Sequence, residues 1–191
     1  MVIKDIYNFV IPYYEEKHRV FHNKNHLDLG LFMLETFERK GENISDVQYV
    51  AWLFHDIVYK LDSKTNEEDS AAFFEVCNKE QDFGFEDSEV QKVKQIILDT
   101  KKHKSTIEDS KIVLDVDMHS LALPWHSFIE NRQKVEKEYS AIYSDEEIKN
   151  GVLDFIDTVL RDKNMIFHTS FYKEYFLDIA IENLQKYREM L

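Results

Sequence analysis

Apolar residues recur along this chain at the three- and four-residue spacing of amphipathic helices. Leu27, Leu31 and Leu34 share one helical face; so do Val50, Leu53, Phe54 and Ile57, and so do Val93, Ile96, Ile97 and Thr100. Start signals fall in step with this period. Ser45 precedes Asp46-Val47, Asp87-Ser88 precede Glu89-Val90, and Ser144 opens an acidic first turn that suits the helix dipole. Pro124 breaks the chain after Leu-Ala-Leu, and a new helix begins near Trp125. The pattern predicts an all-α bundle of about eight to ten helices, roughly 3–18, 24–40, 46–60, 66–80, 87–103, 109–122, 125–143, 145–161 and 170–190. Four glycines and two prolines leave little material for the tight turns of a sheet protein.

The chain of 191 residues shows no repeat, low-complexity tract or Pro/Gly/Ser linker, so a single domain over 1–191 is expected. A net charge of −13 argues against a nucleic-acid partner, because phosphate backbones are met by basic surfaces. It leaves small phosphorylated molecules open, since a bound divalent cation reverses the local field. The lone Cys77 excludes an internal disulfide framework and fits a reducing compartment. The N-terminal segment lacks the basic-then-apolar pattern of a signal peptide, and no apolar run approaches the ~20 residues that span a bilayer. The expectation is a soluble, cytoplasmic monomer or homodimer without a membrane partner.

Polar residues inside apolar stretches mark the candidate chemistry. His55-Asp56 closes AWLFHDIVY, where an unpaired carboxylate is costly to bury and a divalent metal would justify both side chains. The bland alternative is a pair that merely ends a helix. His22 and His26 stand at i, i+4 on one face, but Asn23 occupies the place where a zinc protease needs its Glu. Asp115 and Asp117 lie in KIVLDVDMHSLAL; two apart on a helix, they point in different directions. One can serve as a ligand while the other supports the site or caps a helix start.

Taken together, RVFHNKNHL, LFHDIVY, TNEEDSA, IILDTKKH, VLDVDMHSLA and AIENL resemble the H…HD…D signature of the HD superfamily of metal-dependent phosphohydrolases. The resemblance runs over essentially the whole chain. It implies an all-α HD-type bundle, one divalent ion held by His26, His55, Asp56 and Asp117, and hydrolysis of a phosphoester or phosphoanhydride in a small phosphorylated metabolite. Asp115 is left as support, and Asn66, Glu67, Ser70, Thr100 and His103 match further family positions. A two-nitrogen, two-oxygen set favours Mn, Co, Ni or Fe, with Zn or Mg possible. On this reading Glu67 is the general acid or base, and Asp56 and His103 join the catalytic group. Substrate contacts are expected from His22, Asn66, Ser70 and Thr100.

Two arginines that the family favours are replaced here, by Glu136 in VEKEY and by Ile181 in AIENL. Arg19, Lys24, Lys60, Lys101 and Lys104 remain as possible phosphate contacts, though most suit a solvated surface. Two alternatives stay open: an HD-fold di-iron oxygenase, which carries two further histidines where this chain has only His103, and an inactive HD domain that binds a nucleotide or protein partner. His18, His119, His126 and His168 are read as surface or hydrogen-bonded core residues, and Cys77 as unreactive.

Overall fold

Eight of the nine residues of α3 (Asp46–Phe54) are buried, and this apolar rod is the axis on which the other elements pack. The computed structural model describes residues 3–191, and among these there are ten α-helices and no strand. α1 (Ile3–Tyr14), α2 (Lys24–Arg39), α5 (Asp87–Thr100) and α6 (Ser110–Asp117) surround α3, with α4 (Asn66–Glu80) laid against α5. A 3-10 turn (Met118–Ala122) leads from α6 to α7 (Trp125–Tyr139). α8 (Asp145–Arg161), α9 (Ser170–Tyr175) and α10 (Leu177–Met190) complete the bundle. Trp52, Phe54, Phe74 and Phe128 are fully buried, each contributing roughly 1.5–3 kcal/mol of transfer free energy. No helix among the described residues is long and apolar enough to cross a membrane.

The all-α expectation holds, and the spans 66–80 and 145–161 form as predicted; Ser144 and Glu147 close a reciprocal capping box at the start of α8. Elsewhere the periodic pattern overruns the helices. α3 ends at Phe54 rather than at 60, because tertiary partners take over the backbone groups that follow. Arg19 donates to the carbonyls of Asp56 at 2.7 Å and Ile57 at 3.0 Å. The Tyr14 hydroxyl accepts from the Asp56 N–H at 3.3 Å, and Ser70 Oγ meets the N–H and carbonyl of Val58. α1, α5 and α7 likewise stop short, at Tyr14, Thr100 and Tyr139, and 170–190 divides into α9 and α10 at Phe176. The early ends of α1, α3 and α5 release the turns that carry His22, Asp56 and His103.

Candidate metal centre

Three elements bring donor atoms to one point. His26 comes from the first turn of α2, His55 from the residue that ends α3, and Asp117 from the last residue of α6. One donor atom from each lies within 4.8 Å of the other two, and no second group of this kind occurs among the described residues. The His26 and His55 Nε2 atoms are 3.4 Å apart; Asp117 Oδ1 is 3.4 Å from the first and 3.8 Å from the second. Ligand atoms bonded at about 2.1 Å to one ion stand about 3.0–3.4 Å from one another, so the spacing suits a shared cation with little adjustment. Asp56 stands at the margin of this group, its Oδ2 3.1 Å from His55 Nε2.

The histidines are oriented from behind. His55 Nδ1 donates to the Trp52 carbonyl at 2.7 Å, which turns Nε2 towards the cluster. Trp52 stacks on His55 with ring centroids 4.3 Å apart and approaches His26 at 5.0 Å. Its indole N–H donates to the Leu27 carbonyl at 2.9 Å, tying α3 to α2. Asp117 Oδ2 accepts from His103 Nε2 at 3.0 Å, so the carboxylate is braced on the side away from the imidazoles. His103 adopts φ of 47°, a left-handed turn just past α5, and its carbonyl accepts from His168 Nε2 at 3.0 Å.

The electrostatics run in one direction. Burial opposes charge on His55, yet Asp56 and then Asp117 push its imidazole up to about 9. Burial alone would raise Asp56 and Asp117, but His55 holds Asp56 far below the usual carboxylate range, and His103 and His26 do the same for Asp117. His26, buried and less compensated, is pushed down. The two carboxylates of the cluster therefore favour positive charge between them, which a divalent cation supplies. The donor set fits such an ion.

A second carboxylate organises the approach. Glu138 on α7 is buried; its Oε2 accepts from the N–H groups of Val20, Phe21 and His22 at 2.8, 2.6 and 3.2 Å. Its Oε1 pairs with His22 Nδ1 at 2.8 Å, and His22 Nε2 has no hydrogen-bond partner among the described residues. Burial works to raise Glu138, but the His22 contact and the backbone donors hold it at about 2. Glu138 belongs to the Glu-Tyr pair of VEKEY, but the sequence pattern assigned it no role. It lies on the face of α7 that also carries Asn131 and Lys134.

The other nominated residues are engaged as follows in the structure. Asn66 and Ser70, expected to touch substrate, brace the turn after the HD pair: Asn66 spans the N–H and carbonyl of Lys60, and Ser70 Oγ is buried against Val58. Thr100 is buried and returns its hydroxyl to the Ile97 carbonyl. Glu67, expected as the acid or base, has its Oε2 3.8 Å from Lys101 Nζ, and Lys101 also binds Glu68 and the Lys64 carbonyl. Arg19 is buried and spent on backbone carbonyls, so it offers no fork to a phosphate. Asp115 supports the site by an indirect route. It accepts from the His168 and Thr169 N–H groups at 2.6 and 2.9 Å, fixing the residue that holds the His103 carbonyl; burial pushes its carboxyl up to about 6.

Beside the cluster lies a cleft of about 150 Å³ whose walls include Phe21, His26, Trp52, Asp117, Asn131 and Lys134. Neither replaced arginine position borders it: Glu136 accepts from the Tyr187 hydroxyl, and Ile181 packs on the core. Of the remaining histidines, His18 bonds the Tyr59 carbonyl, His119 is buried against aromatic rings, and His126 is exposed. Cys77 is buried, which pushes its thiol up to about 11. Comparison with family models, curated proteins and solved structures gave no significant match.

Proposed function

We propose that this chain is a metal-dependent phosphohydrolase of the HD type, acting on a small phosphorylated metabolite. The observation that carries the reading is the convergence of His26 Nε2, His55 Nε2 and Asp117 Oδ1 from three separate elements, with Asp56 adjoining. Agreement between these three converging residues and three of the four positions of the H…HD…D resemblance supports it. His26, His55, Asp56 and Asp117 would hold the ion. A divalent ion in such a site acidifies water and withdraws charge from a phosphoryl oxygen.

The protein's own groups would then handle position and protons. Asp117 is shared between the cluster and His103, so His103 acts as a positioning residue. His22 is better placed than Glu67 for proton transfer. Its Nδ1 is held by a buried carboxylate, its Nε2 has no partner among the described residues, and its ring centroid is 5.7 Å from that of His26. The cleft beside His26 and Asp117 gives the substrate its entry.

Elemental analysis of the purified chain, followed by phosphomonoester turnover with the identified metal, tests this reading. Near one equivalent of transition metal, lost together with turnover in His55→Ala, is the expected result. Two equivalents of iron would favour the oxygenase alternative, and metal without turnover a binding domain.

A further inference from the structure

The cleft beside the cluster needs positive charge if a phosphate is to enter it. Asp56, Asp117 and Glu138 surround the centre with carboxylates, and the whole chain carries −13. The basic residues singled out from the sequence do not meet this need. Arg19 is buried against backbone carbonyls, Lys24 pairs with Asp28 at 2.5 Å, and Lys101 pairs with Glu68. Lys60 and Lys104 do not border the cleft. Lys134 does, and it is the one lysine or arginine in the cleft wall. It is exposed and forms no ion pair among the described residues.

Its placement follows from helix geometry. Asn131, Lys134 and Glu138 are three and four residues apart on α7, so they project from one face. Glu138 fixes that face, because its carboxylate is locked onto the 20–22 backbone and His22. Lys134 and Asn131, one and two turns earlier, consequently open into the cleft with His26 and Asp117. The volume of about 150 Å³ is below the roughly 300 Å³ lower bound of pockets that engulf a drug-sized ligand. That is room for a phosphate and its adjoining group.

We propose that Lys134, assisted by the Asn131 amide, is the phosphate-recognition subsite of this cleft, binding the non-bridging oxygens of a small phosphomonoester. This rests on the metal-hydrolase reading and deepens it. Lys134 supplies an ammonium in a cleft wall that holds no arginine, and Asn131 adds a neutral donor to the same oxygens.

Isothermal titration of the full chain with inorganic phosphate tests the subsite, in Mn2+ and separately in chelator, with metal content measured for every variant. In Mn2+, Lys134→Met is expected to weaken phosphate binding about tenfold, Lys134→Arg to retain it, and both to keep the metal. Equal affinity in Lys134→Met and the natural chain overturns the subsite and leaves the metal reading standing. If the natural chain takes up no metal, the metal reading fails and the chelator titration decides the subsite. Phosphate binding lost in Lys134→Met then supports it; no binding, or binding indifferent to the substitution, overturns it.

Discussion

Trp52 lies against the bare Cα of Gly30: a methyl group at residue 30 would stand 2.0 Å from the indole Cζ2 atom. The missing side chain is what lets α2 and α3 approach closely enough for Trp52 to press on both His26 and His55. A glycine inside a helix costs about 1 kcal/mol relative to alanine, and here that cost is offset by the packing of the candidate centre.

Gly30→Ala is therefore expected to destabilise the chain despite its better helix propensity. The overpacking should cost about 3 kcal/mol or more, read as a lower urea midpoint, with weaker metal uptake. A more stable variant with unchanged metal content would show that Trp52 repacks freely and does not position the histidines.

Arg19 gives a second test. Arg19→Met strands the part-buried Asp56 carbonyl and the buried Ile57 carbonyl and is expected to cost roughly 2–5 kcal/mol. Arg19→Lys should recover little, because one ammonium cannot reproduce the fork. If Arg19→Lys kept full stability while phosphate affinity fell, Arg19 would be a ligand contact after all.

The helical frame was legible in the sequence because burial and helix period coincide in segments such as 46–54 and 87–100. The ends were not. The pattern around Ile57 still reads as helix, and only a distant Arg19 and Tyr14 explain why the chain leaves it. The same limit applies to the site. His55 and Asp117 stand out as polar residues in apolar surroundings and His26 by its spacing from His22 and its motif position, and the structure brings those three together. Glu138, Lys134 and Gly30 carried no such contrast, since a charged residue on α7 or a small one on α2 is unremarkable until its neighbour across the bundle is known. Asn66, Ser70 and Thr100 present the opposite case: motif position nominated them, and in the structure their hydrogen bonds serve the backbone.

Glu138 should make stability depend on pH. Its folded value of about 2 lies below the ordinary 4.5, so its contribution is fully present above about 4.5 and fades as pH falls towards 2. Chemical denaturation of the natural chain and Glu138→Gln at successive pH values should show a gap of roughly 3 kcal/mol at neutral pH that shrinks through this window. A gap independent of pH would mean that the Glu138 charge is not what holds residues 20–22.

Proton transfer separates His22 from Glu67. His22→Gln is expected to keep the metal and lower kcat by about 10²–10⁴, while Glu67→Gln changes kcat far less. His103→Ala should instead loosen the metal by about 10–100-fold, as suits a residue acting through Asp117. A larger kcat loss in Glu67→Gln than in His22→Gln would move the acid or base to α4.

The central claim is that His26, His55 and Asp117, with Asp56, form a centre for one divalent ion. Calorimetric titration of metal-free protein with Mn2+, run beside the His55→Ala and Asp117→Ala variants, addresses it without any assumption about substrate. One bound ion in the natural chain, lost in both variants while their helical spectra are retained, is the expected result. Saturable Mn2+ binding that survives in both variants would contradict the account.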